Sequence, residues 1–319
     1  MTEAHDDGRG RSADGPHAIP ARGWRDILLR VKDQTERDNL SVVAAGIAFY
    51  ALLSLFPLIA ATVSIYGLAV DPEQVHQQLR YLESILPEGA RQVVDEQLSR
   101  VTGSDNSVLS IAALGSLVLA LWSSGAGVRA LMSSLNIVYE EREKRSLIVF
   151  YSISLALTLL LIVSVIFSLT LVAALPAVAT FIGLPAVIDT WISWLRWPLL
   201  ALLFMAALAT LYRYAPSRRE PKWRWVSWGA VGATLLWLVG SGLFSWYVRS
   251  FSNYNETYGS VGAVVVLMLW FWLSAFIVLL GAELNAETEH QTARDSTVGR
   301  PKPRGRRGAQ MADTLGRRP

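Results

Sequence analysis

The chain contains no cysteine, which excludes disulfide frameworks and thiolate metal sites. Histidine is nearly as scarce. His5, His17, His76 and His290 are the only four, scattered and outside every apolar run. No HExxH, Walker-type glycine loop, GxSxG or EF-hand spacing occurs, so metal hydrolysis and serine–histidine catalysis lack their parts, and no cofactor or metal is expected. Charge is thin as well: 17% of the 319 residues are charged, against about 25% in an ordinary soluble domain. The first 40 residues carry no apolar core of signal-peptide type.

Apolar residues take the place of charge. They make up 52% of the chain, with twelve tryptophans, and they are bunched. Uncharged runs cover Val42 to Val70, Val108 to Val128, Leu147 to Ile188, Val226 to Val248 and Tyr258 to Ala282. A bilayer core needs about 20 apolar residues per helix, so these runs read as an all-α, polytopic transmembrane bundle. Pro176, Gly183 and Pro185 split the longest run. The expected spans are Val42–Val70, Val108–Val128, Leu147–Leu175, Thr190–Tyr212, Val226–Val248 and Tyr258–Ala282, six in all. The fourth contains Arg196 and Pro198, with Arg196 among Trp191, Trp194 and Trp197. That is the pattern of an interfacial belt, where an arginine snorkels to water.

Lysine and arginine alternate between the spans. Reading the non-span segments in chain order, with Arg129 kept on a helix that continues the second span, they number seven, three, three, none, five, one and eight. The two threes differ in density. The first is diluted over a long loop with seven acids, and the second is packed into Arg142, Lys144 and Arg145. Both termini are therefore expected in the cytoplasm. Residues 1–22 and 291–319, rich in Gly, Pro, Arg and Asp, read as disordered flanks around a membrane domain at 23–290. Beside a membrane the basic run "GRPKPRGRRG" suits anionic lipid better than nucleic acid. The bilayer is the expected partner, nucleic acid is not, and a homo-oligomer is left open.

Two patterns lie outside the spans. Trp24, Ile27, Leu28 and Val31 share one helical face opposite Arg25, Arg30 and Lys32, which fits an N-terminal interfacial helix on the inner leaflet. Val75, Leu79, Leu82 and Leu86 form a stripe, and Val93, Val94, Leu98 and Val101 form another beyond Pro87 and Gly89. These predict an external amphipathic helical hairpin over 73–101, with a mobile acidic loop as the alternative.

Hinge or packing positions come next. Pro57 frees the Leu53 carbonyl and should kink the first span. Gly125 and Gly127 follow two serines where the second span can thin or bend, and Gly259 and Gly262 with Ala263 form a small-residue face in the sixth. The polar residues Asn39, Arg129, Asn136, Glu283 and Asn285 all fall at the inner ends of spans. A carboxylate at a helix C-terminus opposes the dipole and is best tolerated with a cation beside it. Glu283 is thus expected to meet Arg129, with Asn39, Asn136 or Asn285 completing the hydrogen bonds. The pair either locks helices or gates a cavity.

Three stretches, "AAGIAFYALLSLFPL", "WSSGAGVRALMSSLNIVYEEREKRS" and "YNETYGSVGAVVVLMLWFWLSAFIVLLGAELNAE", resemble the YihY/BrkB family of bacterial inner-membrane proteins. The resemblance covers roughly Trp24 to Glu289. It implies a six-span protein of the bacterial cytoplasmic membrane whose molecular activity is unsettled, and it brings no catalytic residues. The family's old ribonuclease label fits poorly, since RNA hydrolysis needs a metal or acid–base site in water. The expected function is a transporter, flippase or channel for an envelope lipid or small solute, and not an enzyme. A non-transporting scaffold or envelope-integrity factor is the alternative.

Overall fold

The structure is a computed structural model and describes residues 8–69, 111–174, 186–250 and 254–318. It is all-helical among those residues. In chain order the helices are α1 (Ala21–Arg37), α2 (Leu40–Ala69), α3 (Ile111–Val138), α4 (Leu147–Leu169), α5 (Ala186–Tyr214), α6 (Trp223–Ser250), α7 (Tyr254–Gln291) and the short α8 (Gln310–Asp313). A π-helical turn, Thr170–Ala174, extends α4. The hairpin expected at 73–101 lies outside the described residues.

Among the described residues, five helical segments are long and apolar enough to cross a membrane: Leu40–Thr62, Leu147–Val172, Trp194–Tyr214, Trp223–Arg249 and Gly262–Gln291. They leave many large apolar side chains exposed, among them Leu53, Leu161, Val239, Leu243 and Trp246. In a soluble protein such a surface would be an aggregation hazard, whereas in a bilayer it is the solvated face. The expected second span falls in α3 and is not among the five. Its glycines introduce no break: α3 is continuous from Ile111 to Val138, because a helix closed by its own hydrogen bonds tolerates glycine where neighbours pack against it. Likewise α2 continues through Pro57 and α5 through Pro198.

The chain forms two compact units. One holds residues 51–128 and 154–207, and the other holds residues 1–50, 129–153 and 208–319. In the former, the Gly127 amide donates to the Ser54 hydroxyl at 2.9 Å. A Cβ on Gly127 would sit 3.4 Å from the Ala51 Cα, so this glycine serves close helix packing. Gly125 is buried one turn-half earlier on the same helix.

The latter unit contains α1, α6, α7 and both chain ends, together with one end each of α2 to α5. Its core crossing is α6 on α7. A Cβ on Gly281 would lie 2.6 Å from the Tyr212 hydroxyl oxygen, 2.7 Å from the Ala233 Cβ and 2.8 Å from the Gly229 carbonyl oxygen. The backbones meet there because neither glycine has a side chain to hold them apart. Tyr212 donates to the Val278 carbonyl at 2.8 Å, and Trp272 donates to the Ser41 carbonyl at 3.0 Å.

The apolar stripe of α1 faces protein. Ile27 and Val31 are buried with Ala13 and Ile19, and Trp24, Leu280 and Leu284 pack against them. Leu28 and Leu29, on the neighbouring face, stay exposed. The turn from α1 to α2 is made by Asn39 with φ +49°, a left-handed conformation in which asparagine is enriched.

The expectation of disordered flanks needs correction for residues 8–22 and 291–318. Arg11 donates to the carbonyls of Gln291 at 3.4 Å and Gly316 at 2.8 Å. The Arg307 guanidinium and Nε reach the carbonyls of Lys302, Ala293, Arg294 and Ala312. Met311 and Ala312 on α8 are buried. The tail also pairs with the loop before α6, through Lys222 N–H to Ser296 O at 2.9 Å and Val298 N–H to Glu220 O at 3.0 Å. A run of arginine suggests solvation when charge is counted alone. Here the guanidinium forks are spent on backbone carbonyls, which lets few apolar residues order the segment.

Candidate functional site

The C-terminal turns of α7 carry Glu283, Asn285, Glu287, Glu289 and Gln291, all buried. Their neighbours come from α1, the turn between α1 and α2, α6, and the loops after α3 and α5.

Asn285 clamps two helices. Its Oδ1 accepts from the Gly229 amide at 2.7 Å, and its Nδ2 donates to the Val226 carbonyl at 3.1 Å. Asn136, at the end of α3, does the same for two loops: Nδ2 donates to Glu143 at 3.1 Å and Oδ1 accepts from the Ser217 amide at 2.7 Å. Asn39 is committed locally, donating to the Arg37 carbonyl at 3.3 Å.

Two charge pairs complete the frame, and nothing in the order of residues announces their pairing. Arg30 on α1 reaches the Glu287 carboxylate, the Glu287 carbonyl at 3.2 Å and the Gln291 side chain at 2.8 Å. Arg218 grips Glu289 with both terminal nitrogens, at 2.8 and 3.1 Å, and both side chains are wholly buried. The Arg218 guanidinium also lies 4.0 Å from the Tyr139 ring centroid. Burial works against the charge of Arg218, but the Glu289 and Tyr139 beside it hold its pKa above the ordinary value. In sequence Glu287 and Glu289 look like a solvated helix end. Only the fold brings Arg30 and Arg218 to them.

Glu283 is the exception in this frame. It is 0% exposed, and no amide, hydroxyl or cationic group donates to either carboxylate oxygen; its polar contact is the Asp38 carboxyl. Its electrostatic neighbours are the carboxyls of Asp38, Glu287 and Glu140. The expected pairing with Arg129 is therefore not formed. The Arg129 guanidinium lies 5.5 Å from the ring centroid of Tyr151 on α4. Both residues do lie in the same compact unit, but the direction in which each side chain leaves its helix was not legible in the sequence. Asp38, on the turn between α1 and α2, is the nearest acid. Burial pushes its pKa up, the contact with Glu283 pulls it down, and the Glu140 charge raises it again. The hydroxyl of Tyr139 adds a further buried atom without a partner, in the neighbourhood of Arg218, Glu289, Asn285 and Glu283. The half-buried Asp38 and the buried Tyr139 and Glu283 thus bring together polar atoms that no ordinary donor or acceptor satisfies. Such orphaned groups are rare in native proteins and call for a reason. A pair of carboxyls with no cation between them can hold or pass a proton, and as two bare charges they would be costly.

The helices, their exposed apolar faces and this polar end together define a multi-pass helical membrane protein. The Virulence factor BrkB family matches residues 31–306, and the chain belongs to that family. It is 32% identical over 252 residues to a ribonuclease-like protein, YfkH, of Bacillus subtilis, covering 76% of this chain and 88% of that one. It is 28% identical over 274 residues to the UPF0761 membrane protein YihY of Salmonella typhimurium, covering 85% and 90%. A UPF0761 membrane protein of Methylibium petroleiphilum is 26% identical over 271 residues, covering 82% of this chain and 62% of the relative. No solved structure matches the chain.

Proposed function

We propose that the chain is a transporter, of flippase or channel kind, that moves an envelope lipid or small solute across the bacterial cytoplasmic membrane. Asp38 and Glu283 take up and release a proton during its cycle. One observation carries this reading: Glu283 is fully buried within a candidate span, has no amide, hydroxyl or cationic donor, and meets the Asp38 carboxyl with further acids nearby. Ionisable groups within a span usually mark ion pathways or proton relays. A helix lock would need a cation on that carboxylate, and Arg129 is not there.

The reading includes six spans, both termini in the cytoplasm and no catalysis. In support, the N-terminal segment, the basic loop at 139–146, the loop at 215–222 and the basic tail all belong to a single compact unit. The lysine and arginine excess is thus gathered in that unit, as cytoplasmic segments require. The non-transporting scaffold reading draws on the tight Gly229–Gly281 crossing, which serves packing alone.

The test is purified full-length protein in liposomes that hold a pH-sensitive dye and a fluorescent phosphatidylethanolamine analogue. Proton flux or lipid movement above protein-free vesicles is expected, and Glu283→Gln should abolish it while leaving the protein folded. Wild-type vesicles that move neither would favour the scaffold. A Glu283→Gln variant as active as wild type would remove the acid pair from the mechanism.

A further inference from the structure

A second polar feature lies on the same unit, away from Glu283. A cavity of about 380 Å³ opens between the loop after α3, the end of α5, the loop before α6 and the tail. Lys144, Arg145, Arg213, Arg218 and Arg219 line it, with Glu220 the one acid among the lining residues.

Four of these cations already have a carboxylate. Lys144 pairs with Glu141 at 2.8 Å, Arg145 with Glu143 at 2.8 Å, Arg213 with Glu220 at 3.0 Å and Arg218 with Glu289 at 2.8 Å. Arg219 has none. Its guanidinium makes no hydrogen bond among the described residues, and its Nη1 is a buried, unpartnered atom. The Nε groups of Arg213 and Arg218 are buried and unpartnered too. Three of the lining arginines, Arg213, Arg218 and Arg219, therefore carry N–H groups without an acceptor, and the lining has one positive charge in excess. The tail makes room for this. Gly299 has φ +91°, and a Cβ there would lie 2.7 Å from the Arg219 Nη2. The Arg219 amide donates to the Gly308 carbonyl at 2.9 Å, which fixes the backbone beside the cavity.

The cavity also lies at a membrane boundary by position in the chain. Lys144 and Arg145 immediately precede the candidate span at Leu147, and Arg213 closes the one ending at Tyr214. Leu147 and Ile148 are 76% and 80% exposed, and Trp223 and Tyr214 are exposed next to Arg213.

We infer that this cavity is a binding site for a phosphate anion, with Arg219 as the principal ligand and Arg213 and Arg218 as supporting donors. Guanidinium forks match phosphate oxygens, and a surplus charge balanced by a phosphomonoanion or phosphodiester removes the cost of the orphaned donors. The chemistry is shared by a phospholipid headgroup at the inner boundary and by free phosphate. The site does not depend on transport, and it would bind whether or not the protein moves anything.

The experiment measures thermal melting of the purified full-length protein under four conditions: in detergent without sodium phosphate, in detergent with it, in nanodiscs of phosphatidylcholine alone, and in nanodiscs that also contain phosphatidylglycerol. Phosphate or phosphatidylglycerol should raise the melting temperature of the wild type. Stabilisation by both marks the shared chemistry, and by phosphatidylglycerol alone it marks a headgroup site. Stabilisation by phosphate alone marks a soluble anion. Arg219→Gln should weaken the apparent affinity by roughly tenfold or more, the loss of a charge-assisted fork. The ligand-free Arg219→Gln protein should melt where the wild type does, because Arg219 has no protein acceptor to lose. If that variant does not fold, Arg219→Lys replaces it, retaining the charge and losing the fork, with an intermediate affinity expected. No stabilisation by either probe, or equal stabilisation of wild type and variant, overturns the inference.

Discussion

At the scale of single residues, the polar end of the molecule is a set of saturated contacts around a few unsaturated ones. Glu143 is the clearest saturated case. It accepts from Arg145 through the side chain at 2.8 Å and the backbone at 3.0 Å, and from Asn136 at 3.1 Å. The Arg145 contact is the largest influence. Against the opposing effect of burial, it and the other donors hold the Glu143 pKa at about 2, below the ordinary 4.5. A carboxylate with a depressed folded pKa contributes stability above its unfolded pKa and loses it as pH falls through the folded value. The melting-temperature difference between wild type and Glu143→Gln should therefore be constant above about pH 5 and shrink towards zero as the pH approaches about 2. A difference that stays constant over that interval would show that the contact does not bear on stability. The buried Arg218–Glu289 pair differs in kind, since removing one partner strands a charge and typically costs about 3–5 kcal/mol.

At the scale of elements, the α6–α7 crossing depends on the absence of side chains. Gly229 and Gly281 let the two backbones approach, and Asn285 then bridges the gap with two buried hydrogen bonds. The Cβ of Gly281→Ala would overlap the Tyr212 hydroxyl and Ala233. A loss of about 1–3 kcal/mol is expected from overpacking, measured by thermal or denaturant unfolding in detergent. Gly242 on the same α6 has open space around its Cβ position, so Gly242→Ala should be neutral or slightly stabilising. If both substitutions behaved alike, close approach of the backbones would not be the reason for glycine at 281.

At the scale of the whole molecule, the two chain ends are structural. Arg11 and Arg30, 2.8 Å and 3.3 Å from carbonyls of Gly316 and Arg317, tie the N-terminal region to the last residues. Limited trypsin digestion of the native protein should cut after the exposed Arg304, since Arg300 and Lys302 each precede a proline, and should spare Arg307, which is 5% exposed and bound to four carbonyls. Equal cutting after Arg304 and Arg307 would mean a solvated tail.

Much of this was legible in the sequence, because it depends on local quantities. Length and apolarity of each run determine whether a helix can sit in hydrocarbon, so the all-α membrane class follows from composition alone. The level of Arg129, Asn136, Glu283 and Asn285 near one end of their helices follows from counting residues at about 1.5 Å each. What only the tertiary structure decided is direction. Whether Glu283 meets Arg129 or Asp38 depends on the rotation of α7 about its axis, and a span that is apolar all round carries no stripe to announce that rotation. The order of the termini was hidden for a related reason. An arginine run is read by its charge, but its fold is set by which carbonyls come within reach of the guanidinium, and those belong to segments distant in the chain.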